Sequence, residues 1–230
     1  MSTTISYFKY FIPISFFLSC LSMKAQENFS LLAEPEISLN LNTPNRWSFN
    51  FAAANRDLLY ADESGVFEAQ FIDLTHFSSY EVGFYSKMSL GIRYRFREIF
   101  NEDVTDELRL IQQYGHSRKY NKLKLAHRAR LEERFRENTT FRTRYEFSVE
   151  SPLSGLRLDR NEFFVVADTE ALWSFGKFEK PSFEQRLGLS IGNQIGENTK
   201  ASIGLQFRYD DYTNNPSSEL FIQTGISISL

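Results

Sequence analysis

Cysteine occurs once, at Cys20, and histidine three times, at positions 76, 116 and 127. The first scarcity excludes a disulfide framework within the chain, and the scatter of the second leaves no zinc-ligand cluster. Beyond the first segment, no stretch approaches the roughly 20 apolar residues that a membrane-spanning helix needs, so a helical membrane protein is excluded. Charge of one sign is not in large surplus either. Lys and Arg number 26 against 29 Asp and Glu, and a net charge of -3 with pI near 5.7 gives no global attraction to nucleic acid. Glycine-rich phosphate loops are missing, because Ile191-Gly192-Asn193-Gln194-Ile195-Gly196 opens no helix and sits in a strand-turn context. What is abundant is aromatic: 23 Phe and 11 Tyr in 230 residues that are only 42% hydrophobic, with a mean hydropathy of -0.37. Aromatics this dense offset the cost of ordering the chain and exclude disorder.

Met1 to Ala25 has the order of a secretory signal peptide. A single lysine, Lys9, precedes the apolar run Tyr10 to Leu18, and smaller residues lead to Lys24-Ala25-Gln26. Cleavage is expected after Ala25, leaving one domain over 26–230. The mature chain would then lack cysteine altogether, which removes thiol catalysis and cysteine metal sites. Phe17-Leu18-Ser19-Cys20 is only loosely like a lipoprotein box, since it lacks the aliphatic residue three before the cysteine.

From about Glu36 onward the dominant period is two, which places successive side chains on opposite faces of a sheet. Ile37, Leu39 and Leu41 are followed, after Thr43-Pro44-Asn45, by Trp47, Phe49 and Phe51. A longer stretch runs from Phe67 to Tyr85. After a turn expected at Ser86-Lys87, Met88, Leu90, Ile92, Tyr94 and Phe96 alternate with Ser89, Gly91, Arg93, Arg95 and Arg97, which reads as a hairpin. The rhythm continues through Leu108 to Tyr114, Leu123 to Leu131, Phe141 to Val149, Leu187 to Ile191, Ala201 to Tyr209 and Leu220 to Leu230. Between Glu162 and Trp173 the apolar content is more uniform and the register is open.

Secreted chains with apolar and charged faces segregated in this way have two architectures. A soluble sandwich or lipocalin-like barrel puts the apolar rows inside, whereas a membrane barrel turns them to lipid and encloses the charges. Segments of about ten to fourteen residues match a tilted membrane crossing better than the five or six usual in soluble strands. Short turns, as at Gly196-Glu197-Asn198, alternate with long polar segments over Asn55–Gly65, Arg97–Asp106 and Asp210–Ser218, as periplasmic turns and extracellular loops do. We therefore expect an all-β, antiparallel up-and-down transmembrane β-barrel in a bacterial outer membrane. About eleven alternating segments are countable. Because single-chain bacterial barrels have even strand numbers, twelve strands are expected, or ten if Glu36–Asn42 stays out of the wall.

The hairpin from Ser79-Tyr80-Glu81 through Leu90 to Phe96, the segment His127 to Phe135, and Pro152-Leu153-Ser154-Gly155-Leu156-Arg157-Leu158-Asp159 together resemble the domain-of-unknown-function family numbered 2490. The likeness covers nearly all of the mature chain. It implies bacterial outer-membrane β-barrels without an assigned activity, and it brings no catalytic residues with it.

Charges sharing the inward parity form the candidate site: Arg93, Arg95, Arg97, Lys122, Lys124, Arg128, Arg130, Glu132, Arg142, Arg144, Glu146, Glu184, Arg186 and Arg208. Paired with acids such as Asp73, Glu107 and Asp210, they would brace a narrow barrel. A surplus of arginine would instead line a path that prefers anions. The expected role is structural or that of a narrow channel, with no catalytic, metal or cofactor residue, no nucleic-acid partner, and contacts to outer-membrane lipid and, during biogenesis, to periplasmic chaperones and the barrel-assembly machinery. The alternatives are a soluble periplasmic lipocalin-like binder and a barrel-embedded lipase or acyltransferase. For the latter, His116-Ser117 and His76 before Phe77-Ser78-Ser79 are the only Ser/His neighbours, and neither shows a third partner. The aromatics read as interfacial girdles more readily than as ligand-stacking platforms.

Overall fold

The computed structural model describes residues 29–97 and 104–230; the expected export segment, with Cys20, lies outside the described residues. Period-two alternation is realised as eleven strands: β1 (Phe29–Asn42), β2 (Trp47–Ala61), β3 (Ser64–Glu81), β4 (Ser86–Arg97), β5 (Glu107–Tyr120), β6 (Leu123–Phe135), β7 (Thr140–Pro152), β8 (Phe163–Gly176), β9 (Ser182–Asn193), β10 (Thr199–Asp210) and β11 (Ser217–Ser229). Each pairs with its sequence neighbours, and the sheet closes into a barrel through β1 and β11.

That closure corrects the expected count. Eleven strands, rather than twelve or ten, complete the wall, and the Glu36–Asn42 segment belongs to it as part of β1. Every turn reverses the chain, so an odd number leaves the first and last strands parallel. β1 and β11 pair in parallel without a register break from Phe29↔Ser218 to Asn40↔Ser229. The seam is possible because the two strands alternate in phase. Ile37 faces Ile226 and Leu39 faces Ile228 on the outer side, while Ser38 faces Ser227 on the inner side. Pro35, which has no N–H to donate, falls in the gap of the β1–β2 ladder between Ala33↔Asp57 and Glu36↔Ala54. The chain therefore enters at one rim, here the N rim, and leaves at the other, the C rim.

The turns differ from the sequence expectation in two places. Asn55–Gly65 is not a long loop: β2 runs to Ala61, and Asp62 and Glu63 alone reverse the chain, with φ of 48° and 59°. Positive φ at both central residues is the two-residue hairpin geometry that matches strand twist. The turn expected at Ser86-Lys87 lies earlier, between Glu81 and Ser86. With these shifts, long connections no longer gather at one rim. The longest are 98–106 at the N rim, of which 98–103 lie outside the described residues, and 153–162 at the C rim.

Side chains sort by face. Leu90, Ile92, Leu110, Leu187, Leu189, Ile203, Leu205 and Ile226 are exposed on the outer surface, whereas Glu107, Arg109, Glu132, Glu170 and Arg208 are buried inside. The uniformly apolar stretch from Glu162 resolves in the same way, with Phe163 and Trp173 outward and Phe164, Glu170 and Leu172 inward. Two inward phenylalanines lie flat over cross-strand glycines. A Cβ on Gly91 would meet the Phe77 ring at 2.3 Å, and one on Gly192 would meet Phe164 at 2.3 Å. Rings also gather at both rims of the outer surface: Trp47 against Tyr80 at the C rim, and Trp173, Phe175, Phe183 and Tyr212 in succession at the N rim.

The parallel seam is testable by cross-linking. Ile37→Cys with Ile226→Cys, in a Cys20→Ser background, should form a bond on oxidation that alters electrophoretic mobility. Absence of the cross-link in folded protein would contradict an eleven-strand closure.

Candidate functional site in the lumen

Enclosing charge inside a barrel demands partners, since an unpaired buried ion costs several kcal/mol. The inner wall supplies them as a network. Glu107 of β5 pairs with Arg109 beside it, with Arg134 of β6 at 3.0 Å and with Arg136 just past β6. Arg109 reaches Glu132 at 3.6 Å; Glu132 holds Arg144 of β7 at 3.0 Å; Arg144 holds Glu170 of β8 at 2.7 Å. Glu170 meets Arg186 of β9 at 3.4 Å, and Arg186 turns to Glu184 at 2.5 Å. Smaller clusters complete the circuit. Glu34 of β1 joins Arg56 (2.5 Å) to Arg208 (3.3 Å), and Asp73 of β3 takes Arg93 (3.3 Å) and Arg95 (2.7 Å).

Rings fill the gaps between clusters. The Arg95 guanidinium lies 3.4 Å from the Phe71 ring centre and that of Arg208 lies 3.5 Å from Phe221, while Arg56 sits 4.4 Å from the first ring and 4.6 Å from the second. A planar guanidinium can face an aromatic ring while its edge bonds a carboxylate, so arginine suits this interior where lysine would not. The interior retains a cavity of about 590 Å³, lined by eleven arginines against eight carboxylates. Two of those arginines have no carboxylate partner among the described residues. Arg130 donates its Nε–H to Gln113 (2.6 Å), and Arg142 donates to the Ser174 hydroxyl (2.8 Å).

The sequence-derived candidates distribute as follows. Arg93, Arg95, Arg128, Arg130, Arg142, Arg144, Glu146, Glu184, Arg186 and Arg208 line the cavity, and Arg128 pairs with Glu146. Glu132 is fully buried in the network. Arg97 lies at the N rim, where its backbone N–H donates to Asp106. Lys122 is exposed on the β5–β6 turn, away from the cavity. Lys124, also exposed, pairs with Glu150 at 3.5 Å near the C rim. Outside that candidate set, the network also holds Glu34, Arg56, Arg109, Arg134 and Glu170. Arg109 and Arg134 share the parity of their strands and were legible; Arg56 lay in a supposed loop and Glu170 in a stretch of unassigned register.

The histidines all face outward. His127 Nδ1 meets the Tyr145 hydroxyl at 2.8 Å, and His116 Nδ1 meets Ser86 Oγ across the β4–β5 pair at 2.9 Å, a pairing of residues distant in sequence. His76 Nε2 lies 3.0 Å from Ser78 Oγ, and its Nδ1 lies 3.1 Å from the Asn50 carbonyl oxygen. Among the described residues, no group of three or more His, Cys, Asp or Glu is placed to hold a metal ion.

Removing one member of the buried network should cost far more than removing an exposed pair. Glu107→Gln leaves Arg134 and Arg136 without a carboxylate and Arg109 with Glu132 alone, and should destabilise the barrel by about 3–5 kcal/mol in denaturant titrations. Lys124→Gln should cost less than about 1 kcal/mol.

No curated protein and no solved structure matches the chain. Residues 35–219 match a family described as a protein of unknown function, DUF2490, a span that begins within β1 and ends within β11. With nearly the whole barrel wall covered by that match, the chain belongs to the DUF2490 family of proteins of unknown function.

Proposed function

We propose that this protein is an exported outer-membrane β-barrel whose ion-paired lumen braces the wall around a narrow, anion-preferring interior. The observation that carries the reading is the inversion of the two faces. Rows such as Leu187, Leu189 and Ile191 are exposed, whereas Glu107, Glu132 and Arg208 are enclosed. A water-soluble barrel gains its stability from the opposite arrangement, by burying apolar surface at roughly 25 cal/mol per Å². Strands of 12 to 18 residues and rings at both rims also fit a wall set in a bilayer, with amphipathic side chains at the two headgroup levels. Closure through a parallel pair puts the start of β1 and the end of β11 at opposite rims, so either rim can face the periplasm on geometric grounds.

Most of the lumen's charge is spent on internal pairing, and this favours bracing over wide conduction. Among the described residues, Arg130 and Arg142 on one side and Glu36, Asp210 and Glu219 on the other stand outside the ion pairs, and the lining as a whole holds eleven arginines against eight carboxylates, an excess of fixed positive charge that favours anions. Mature protein should partition into detergent or bilayers rather than the aqueous phase. In planar bilayers it should show little conductance, with anion preference in whatever current passes. Arg128→Glu with Arg130→Glu should shift that preference toward cations. Unchanged selectivity with lower thermal stability would assign those arginines to bracing alone, and extraction without detergent would overturn the membrane assignment.

A further inference from the structure

The outer face carries an arrangement that the lumen's role does not use. His76 and Ser78 sit two apart on β3 and so share a face, and β2 lies alongside with Phe51↔His76 and Phe49↔Ser78 as register partners. A backbone carbonyl can only accept, so the neutral His76 ring carries its proton on Nδ1, donating to Asn50 O at 3.1 Å. Its Nε2 lone pair is then the acceptor for the Ser78 hydroxyl at 3.0 Å. This is the polarity an activated serine requires: a hydroxyl on a base whose other nitrogen is anchored in the correct tautomer. The Ser86–His116 pair lacks it, because among the described residues the second nitrogen of His116 has no hydrogen-bond partner.

The surroundings specify the substrate. Next to His76 an apolar groove of about 690 Å³ runs over the outer face, lined by Ile37, Leu39, Phe51, Ala53, Leu74 and Ile92 among others. Small side chains on β2, Ala53 above all, open it. Ser78 itself lies two residues from Tyr80, whose ring packs on Trp47 at 5.0 Å in the C-rim aromatic group. In a bilayer such rings mark the headgroup boundary, the depth at which the ester bonds of a lipid lie, while acyl chains extend toward the midplane. We propose that Ser78, His76 and the Asn50 carbonyl form a lipid-esterase site, with the fatty acyl chain of an ester lipid in the groove. The lipid half of this assignment rests on the membrane reading above; the Ser–His–carbonyl geometry does not.

The chemistry balances with water as the co-reactant. Ser78 Oγ attacks the ester carbonyl carbon as its proton passes to His76 Nε2. The C–O bond to the lipid alcohol breaks, and that alcohol leaves with the proton. Water then attacks the acyl-serine, giving a proton to Nε2, and the fatty acid departs as Ser78 Oγ takes that proton back.

The test uses full mature protein folded in detergent, with fold verified by far-ultraviolet circular dichroism. Three readouts are followed: fatty acid release from phosphatidylethanolamine mixed micelles, hydrolysis of water-soluble p-nitrophenyl butyrate, and mass-spectrometric labelling by a fluorophosphonate. Wild type should turn over both esters and label at Ser78. Ser78→Ala and His76→Gln should each reduce both rates by at least about a hundredfold, whereas Ser86→Ala should leave both unchanged. Ala53→Trp, which fills the groove, should lower the ratio of long-chain to short-chain turnover roughly tenfold. Turnover that survives Ser78→Ala, or that is lost in Ser86→Ala instead, overturns the proposal. A folded chain that partitions into membranes yet neither labels nor hydrolyses either ester overturns the catalytic site and spares the membrane reading. A chain that stays in the aqueous phase but labels at Ser78 overturns the lipid substrate and the membrane reading together, and spares the triad.

Discussion

Carboxylate-to-guanidinium pairing inside a closed wall is the interaction on which the structure depends. The interior offers too little apolar surface to act as a core in the ordinary sense: among the described residues its buried hydrophobics are Leu32, Phe71, Phe77, Ile111, Phe164, Leu172 and Phe221. Glu107 and Glu132 are buried with almost no contact with solvent, an arrangement tolerable only because each meets more than one arginine. Such a lattice is directional where an oily core is not. Each acid joins particular neighbouring strands, so the ion pairs specify register as well as filling space. Phenylalanines that cover guanidinium faces extend the same principle, giving arginine an apolar partner on its face and an ionic one on its edge.

That interior leaves the outer surface free to be predominantly apolar, and the two faces then differ in character. Inside, Arg130 and Arg142 meet an amide and a hydroxyl rather than a carboxylate. Outside, the few polar side chains are correspondingly conspicuous. His76 has both ring nitrogens engaged, by a backbone carbonyl and a serine, beside a groove that small residues keep open. A polar ring on a predominantly apolar face satisfies its hydrogen bonds locally, and the same bonds fix its tautomer.

Much of the wall was legible because alternation is a local property. In β4, β10 and β11 the apolar and polar residues alternate almost without exception, and in each the apolar set faces out. Legibility failed where local cues conflicted with the barrel. Asn55, Arg56 and Asp57 look like loop residues, yet β2 continues through them because Arg56 finds Glu34 inside and Asn55 bonds Asp57 outside. In β8 apolar residues occupy both faces, so parity carried no information and Glu170, a hub of the network, passed unnoticed. Ser86 and His116 lie thirty residues apart and meet only through the β4–β5 register.

Composition and period two were enough, by themselves, to determine an all-β chain with opposed apolar and ionic faces, because each strand's sidedness is written in its own neighbours; the family came from the resemblance of particular segments, such as His127 to Phe135 and Pro152 to Asp159, and not from the period. Closure was decided only in three dimensions. Whether the last strand meets the first, and in which direction, depends on strand number and on how two distant segments match in phase, and no short-range pattern encodes either. The partners of the inward charges were settled at the same level, since a carboxylate selects its arginines across the ladder and around the lumen, where separation along the chain has no bearing on distance.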